Sequence, residues 1–437
     1  MQRVRLGAGA HTQAAAERLN GAIAPWHPRI GGIHYFLIQF RISANMAVCH
    51  SLALTALQPM KSSSISNPPK GKEPSADERQ VLVTLYGNRQ YADAEMLARA
   101  LTRQHPKHPL AWKVLGASLK KLGRTAEALQ PMQKAAVLMP KDHEAFNNLG
   151  VIFKDLGKTE QAIGCYRQAL ALKPDYADAH GNLGAALRDQ GKLPEALAAY
   201  KRKLALAPDD AETRHHVDAL SGTTTDGAPL QYVEGVFDNY AGHFDTHLTQ
   251  TLRYNIPAQM AELLQQRAPV APGVQRVLDL GCGTGLVGAA LPANRYTCIG
   301  VDVSAGMLQK AQERQRYERL ERSDLLSMMQ AEQDASYDVV TSADVFVYIG
   351  KIDEVVGEAR RLLKAGGLFT FSVEAVTPDQ APPCGFRLTS SGRYAHTEPY
   401  LRQLAASHGF TTVPHLDTSI RVEQGRAIPG ALHLWQV

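Results

Sequence analysis

The stretch VLDLGCGTG, residues 277–285, decides the fold of this 437-residue chain. An apolar run ends in three glycines at alternate positions, and a helix-forming segment follows from Leu286. Glycine has no Cβ, so the backbone of such a turn can approach a ligand closely. In open α/β sheets, ligands bind beyond the carboxyl ends of the strands. The stretch therefore predicts a ligand site at the end of a buried strand.

Strand and helix patterns alternate around this turn. Strands are predicted at residues 276–280, 296–301, 337–342 and 368–373, and helices at 286–291, 305–314 and 352–363. Such alternation is typical of a parallel sheet with helices on both faces.

Two kinds of ligand are compatible with a glycine-rich turn of this type. A dinucleotide fingerprint needs a third glycine where this chain has Leu286. Asp279, two residues before Gly281, disfavours a pyrophosphate and favours a cationic group. The turn instead resembles the first motif of the class I S-adenosylmethionine-dependent methyltransferases, where this region faces the methionine part of the cofactor.

Later segments strengthen the resemblance. Asp302 follows Asp279 by 23 residues and ends the next strand, where a carboxylate can bind both ribose hydroxyls. The resemblance further implies an adenine contact from Met307, an acid for the adenine amino group at Asp324, and an aromatic helix over the cofactor that contains Tyr240. The predicted cofactor-binding residues are Tyr240, Asp279, Gly281, Cys282, Gly283, Asp302, Val303, Met307, Asp324, Leu325 and Asp344. The alternatives are solvated strand ends or turn acids for the aspartates, a spacer role for Cys282, and core packing for the aromatic residues.

The catalytic residues are less well defined. The sulfonium cofactor needs no metal, so none is predicted, and the candidates for holding or deprotonating the acceptor are Tyr348, Arg393 and His396. Arg393 and His396, together with Arg387 and Tyr394, form a cluster able to grip an anion or supply a base, and each of these four has a structural role as its alternative. The fourth motif reads ADVF rather than the Asn/Asp-Pro-Pro-Tyr/Phe of enzymes that methylate exocyclic amines. This leaves O- or C-methylation of a small molecule, or a protein target.

A repeat precedes this region. Four columns recur every 34 residues: Leu-Gly at 115, 149 and 183, Gly at 123, 157 and 191, Ala at 128, 162 and 196, and Pro at 140, 174 and 208. This register resembles the tetratricopeptide repeat (TPR). We expect helix pairs from near Ala76, with residues 210–220 as a capping helix whose polar face covers the open end. The resemblance implies a protein or peptide partner in the groove of the array.

Charge and composition divide the chain further. Residues 1–72 carry a net charge of +7, residues 73–215 carry +4 and residues 216–437 carry −6. The acidic C-terminal part makes nucleic acid an unlikely direct partner. The first 72 residues are predicted to be a disordered extension, or to precede the working start at Met46 or Met60; a transit peptide is the alternative. No apolar run is long enough to span a membrane, and the scattered cysteines fit a reducing, cytoplasmic location.

The predicted architecture has two domains. An all-α TPR superhelix (residues 73–220) is joined by a linker (221–231) to an α/β Rossmann-like class I methyltransferase domain with a mostly parallel seven-stranded sheet (232–437). This combination resembles bacterial predicted methyltransferases with TPR repeats, some of which are labelled as trans-aconitate-type carboxyl methyltransferases. The predicted function is S-adenosylmethionine-dependent methylation of an unidentified small-molecule or protein acceptor, with the repeats recruiting a partner. The alternative is an interaction scaffold with a vestigial cofactor domain.

Overall fold

The computed structural model describes residues 73–437 apart from 242–243, 247, 249–253, 268–272 and 424. All of the described residues belong to one compact unit. The predictions for the N-terminal 72 residues lie outside the described residues. No helix in the described part of the chain combines the length and the apolar character that crossing a membrane requires.

Four antiparallel helix pairs form the repeat array. They are α1 Ala76–Gly87 and α2 Tyr91–Gln104, α3 Pro109–Lys121 and α4 Thr125–Leu138, α5 His143–Asp155 and α6 Thr159–Leu172, and α7 Ala177–Asp189 and α8 Leu193–Leu206. A Cβ on Gly150 would lie 2.5 Å from Cε1 of Tyr166, so the glycine permits the close approach of α5 and α6. The predicted all-α array is confirmed.

The capping helix, α9 Ala211–Ser221, differs from the prediction in what it covers. It begins at Asp210, whose Oδ1 accepts from the backbone N–H of Thr213 at 2.7 Å. Three polar residues on α9 are buried: Thr213, His215 and His216. The helix therefore packs on α8 and also against the C-terminal domain, where Ala219 joins a small apolar cluster with Phe386, Leu388 and Tyr394.

The C-terminal domain contains a mixed sheet. Its strands are β1 Gln275–Leu280, β2 Tyr296–Asp302, β3 Tyr317–Arg322, β4 Tyr337–Ser342, β5 Leu363–Ala375, β6 Phe386–Leu388, β7 Tyr394–His396, β8 Thr411–Thr412, β9 Leu416–Glu423 and β10 Arg426–Gln436. Seven of them follow the order β3-β2-β1-β4-β5-β10-β8, and β6, β7 and β9 pair beside this path. The β1, β2, β3, β4 and β5 pairings are parallel, whereas β10 runs antiparallel to β5.

Helices cover both faces of this sheet. They are α10 Leu230–Tyr240, α11 Ile256–Arg267, α12 Leu286–Ala290, α13 Ala305–Glu313, α14 Leu325–Ala331, α15 Asp353–Leu362 and α16 Glu398–Ser407. Consecutive residues of one strand enter opposite cores: Leu278 packs in the cluster with Phe371 and Trp435, and Val277 packs in the cluster with Met260 and Leu264. This is expected for a strand buried on both faces. The α/β prediction is confirmed.

Candidate functional site

A cavity of about 1360 Å³ lies at the carboxyl ends of the parallel strands. The turn after β1, the end of β2 and the segments after β3 and β4 all reach it. Helix α10 and the turn at Phe244 contribute an aromatic and apolar wall. The residues that carry its polar chemistry are Asp226, Asp302, Asp324, Asp344, Tyr240, Tyr348, Lys351, Glu354, Arg393, Arg421 and Glu423.

The glycine-rich turn has the backbone conformation that its sequence predicts. Gly281 has a φ of 63° and Gly283 a φ of 54°, in the left-handed region that favours glycine. A Cβ on Gly281 would lie 2.4 Å from Cγ2 of Val345. The turn is therefore packed tightly against the segment after β4.

Asp302 joins this turn to the end of β2. Its Oδ2 accepts from the N–H of Gly283 at 2.9 Å, and its Oδ1 accepts from the N–H of Ser304 at 2.8 Å. Burial raises the pKa of Asp302, and these backbone donors oppose that rise. Each oxygen keeps a lone pair, so the carboxylate can still accept from a ligand hydroxyl.

Helix α10 is fastened over the cavity by a second aspartate. Oδ1 of Asp238 accepts from Oγ of Ser304 at 2.5 Å and from the N–H of Gly306 at 3.1 Å. Tyr240, at the end of α10, lines the cavity and meets Phe244 edge to face at 5.5 Å. The aromatic segment thus lies where the sequence predicted it.

Two predicted cofactor residues lie behind the cavity wall. Asp279 is buried, and its oxygens accept from the hydroxyls of Tyr317 at 2.6 Å and Thr341 at 2.8 Å. Burial raises its pKa to about 6. Met307 is buried in the protein interior and, like Asp279, is absent from the cavity lining. Successive side chains of a strand point to opposite faces, and that of Asp279 points away from the ligand side of the turn.

The catalytic candidates also divide into residues that line the cavity and residues that do not. Tyr348 and Arg393 line the cavity, whereas His396 lies outside its lining. Nε2 of His396 is 2.9 Å from the carbonyl oxygen of Gly350, and burial lowers the pKa of His396 to about 4. Arg387 is exposed and donates to the carbonyl of Gln380. No histidine occurs among the described lining residues, so His396 is withdrawn as a candidate base.

An ion-pair network that the sequence did not reveal closes one wall. Arg421, on β9, is 2% exposed. It contacts Asp344 at 3.1 Å, Glu423 at 2.6 Å and Glu374. Arg393 pairs with Glu423 as well. The signal was present as Arg421-x-Glu423, which places both side chains on one face of a strand.

The segment between the repeats and α10 also reaches this wall. The N–H groups of Gly350 and Lys351 both donate to the carbonyl of Asp226 at 2.8 Å, and the N–H of Ala228 donates to the carbonyl of Tyr348 at 2.9 Å. The predicted linker is thus hydrogen-bonded to the segment that carries Tyr348.

Comparison with known proteins agrees with both halves of this description. A family model described as a methyltransferase domain matches residues 278–369. Models described as TPR repeat or tetratricopeptide repeat match residues 150–188, 83–143 and 179–213. The fold and the cavity define a class I methyltransferase domain. The chain therefore combines tetratricopeptide repeats with a methyltransferase domain.

Individual relatives match part of the chain. Methyltransferase-like protein 27 of Homo sapiens is 36% identical over 110 residues, which is 25% of this chain and 43% of that protein. Malonyl-[acyl-carrier protein] O-methyltransferase of Methylovorus sp. (strain MP688) is 36% identical over 146 residues, 31% of this chain and 47% of that protein. The chain spans less than half of the length of both relatives. Among solved structures, magnesium protoporphyrin IX methyltransferase from Synechocystis PCC 6803 with bound SAH is 16% identical at a TM-score of 0.37, covering 47% of this chain and 98% of that one.

Proposed function

We propose that the cavity binds S-adenosylmethionine and that the chain transfers its methyl group to a small-molecule or protein acceptor. One observation carries the proposal: the Gly281–Gly283 turn, Asp302 and Asp324 follow three adjacent parallel strands and line one cavity. When bound, this cofactor supplies a methyl group already activated by the positive charge on its sulfur.

The lining residues fit the parts of this cofactor. Asp302 has free lone pairs for the two ribose hydroxyls, and Val303 and Leu325 offer apolar surface for the adenine beside Asp324. Tyr240 and the glycine turn remain for the methionine portion.

The remaining space suits an acceptor. Ligand pockets commonly measure about 300–1000 Å³, so a cavity of this volume has room beyond a single ligand. The Arg393 and Arg421 charges are already paired with Asp344, Glu374 and Glu423. We therefore favour an acceptor group that is neutral over a free anion. The similarity to a relative named as an O-methyltransferase supports an oxygen acceptor.

Tyr348 and Asp344 are the residues that we assign to the acceptor side. Burial raises the pKa of both groups. Asp344 has a left-handed φ of 59°, a conformation uncommon outside glycine, and its N–H donates to Oγ of Ser372 at 2.8 Å. A carboxylate held in this way can orient an acceptor hydroxyl or accept its proton.

Calorimetry on the full chain tests the cofactor assignment. S-adenosylmethionine and S-adenosylhomocysteine are expected to bind, and NADH is not. Binding of NADH in the micromolar range without binding of either sulfur compound would overturn the assignment. Failure of all three to bind would favour a vestigial domain.

For the repeats we propose recruitment of a protein or peptide partner in the groove of the array. A repeat array leaves a long concave surface that is suited to this role. Immobilised residues 73–220 are expected to retain a partner that residues 221–437 do not. Retention by the C-terminal fragment alone would contradict this division of roles.

A further inference from the structure

Three potential metal ligands from distant parts of the chain meet outside the cavity. Glu398 is the first residue of α16, His415 precedes β9, and His433 lies on β10. One ligand atom from each lies within 4.8 Å of the other two. None of the three belongs to the cavity lining described above.

His433 has a buried nitrogen without a partner. Its side chain is 4% exposed and stacks on Phe371, with ring centroids 5.1 Å apart. Nε2 makes no hydrogen bond, and the nearest carboxylate oxygen, Oε2 of Glu398, is 3.9 Å away. A buried polar atom left unsatisfied is costly, so it calls for a missing partner such as an ion.

His415 is held in the orientation that a metal ligand needs. Its Nε2 lies 3.2 Å from Oδ1 of Asp417, and its Nδ1 lies 3.4 Å from Oε1 of Glu398. If Nε2–H donates to Asp417, the lone pair on Nδ1 faces the Glu398 carboxylate. Two electron-rich atoms then face each other, and a cation between them removes the repulsion. Histidine ligands of metals commonly donate their other ring N–H to a carboxylate in this manner.

We propose that Glu398, His415 and His433 bind one zinc ion, with a water molecule in the fourth position. Two imidazoles and one carboxylate suit zinc, whereas calcium and magnesium prefer oxygen ligands alone. Ligands at about 2.0–2.2 Å in a tetrahedron are separated by about 3.3 Å. Oε1 of Glu398 lies 3.4 Å from Nδ1 of His415, and Oε2 lies 3.9 Å from Nε2 of His433. One ligand atom from each residue lies within 4.8 Å of the other two, so side-chain rotations would bring the three atoms to tetrahedral separations. The ion would tie α16 to β10 and to the segment before β9.

The alternative is a protonated His415 between Glu398 and Asp417. That arrangement gives each carboxylate an N–H donor but leaves Nε2 of His433 without a partner. Glu398 also accepts from Nε of Arg402 at 2.8 Å. This hydrogen bond leaves Nε2 of His433 without a partner as well. Only an additional group at the centre of the cluster satisfies all three residues.

Zinc titration of the full-length, tag-free and chelator-treated protein tests the proposal. Competition with a chromophoric chelator measures stoichiometry and affinity, and cobalt(II) reports coordination through its visible absorption. We expect one zinc per chain and a tetrahedral cobalt spectrum. Glu398→Gln and His415→Asn should each weaken zinc binding by about tenfold or more, since even outer residues of metal sites contribute about 10- to 100-fold.

His408→Asn is the matched control, because His408 directly follows α16 but lies outside the cluster. It should bind zinc like the unaltered chain. His433→Asn should also lose the ion, but its buried position makes folding a concern, so the two more exposed variants decide. Absence of stoichiometric zinc, or equal affinity in Glu398→Gln, His415→Asn and the control, would overturn the site.

Discussion

The repeat array and the methyltransferase domain bury their polar and apolar groups in different ways. In the array, each helix pair reproduces the same contacts 34 residues later, as Ala128, Ala162 and Ala196 do at full burial. Several of its ion pairs are exposed, as between Arg167 and Glu195. In the domain, Arg421 contacts Asp344 and Glu374, which lie 77 and 47 residues away, and these groups are largely buried.

This difference indicates where function is concentrated. Repetition of local contacts produces a regular surface. Each contact in one repeat has an equivalent in the neighbouring repeats. The domain instead collects single residues from many strands around one cavity. Substitutions of similar chemistry should therefore have unequal consequences in the two regions.

Removal of the buried arginine should have the largest effect. Arg421→Met leaves the carboxylates of Asp344 and Glu374 without their partner, which is expected to cost about 3–5 kcal/mol of unfolding free energy. The matched change Arg167→Met removes an exposed pair and should cost about 1 kcal/mol or less. Urea denaturation measures both. Similar losses would mean that the buried network does not stabilise the domain.

Replacing one tightly packed glycine in each region with alanine should have different effects on cofactor binding. Gly281→Ala meets Val345 and requires a left-handed φ, so we expect a loss of about 2–5 kcal/mol and loss of cofactor binding. Gly150→Ala meets only the Tyr166 ring and should cost about 1–3 kcal/mol in the array. Thermal melts with calorimetry distinguish them. Loss of cofactor affinity in Gly150→Ala would show that array packing controls the cavity.

Acid should weaken the junction between the regions. Burial and the nearby Arg188 lower the pKa of His216 on α9 to about 3, below its ordinary value of 6.5. The neutral form is therefore favoured in the folded state. Its contribution to stability is present above pH 6.5 and falls by about 1.4 kcal/mol per pH unit as the pH drops toward 3. At pH 5 the resulting loss of unfolding free energy is about 2 kcal/mol.

His216→Gln should flatten the decline of unfolding free energy between pH 7 and pH 5. His180→Gln, at a more exposed histidine of the same array, should leave the slope unchanged. Denaturant titrations at several pH values measure the slopes. An unchanged slope in His216→Gln would show that α9 does not sense pH through this residue.

The sequence predicted what depends on local order. Periodic glycines, alanines and prolines predicted the array, and the glycine turn with Asp302 predicted the cavity edge. Both signals arise from neighbours in the chain, where backbone conformation alone selects the residue type. Tyr240 and Tyr348 were likewise expected, and both line the cavity.

The sequence did not show which way individual side chains point or which residues far apart in the chain form pairs. Asp279 and His396 lie on strands near the cavity, but their side chains make hydrogen bonds inside the protein and do not line the cavity. Arg421 lies 77 residues from Asp344 in sequence, and no local pattern reveals that pairing. The Glu398, His415 and His433 cluster was not predicted either, because its three members lie in separate segments that only the fold brings together.

We propose that the cavity binds the cofactor through Asp302. Titration of S-adenosylhomocysteine into the full chain and into Asp302→Ala tests it, with Asp379→Ala as an exposed control outside the cavity. Loss of charge-assisted hydrogen bonds predicts a weakening of about 1–3 kcal/mol for Asp302→Ala, with the domain still folded and the control unchanged. An unchanged dissociation constant in folded Asp302→Ala would contradict the account.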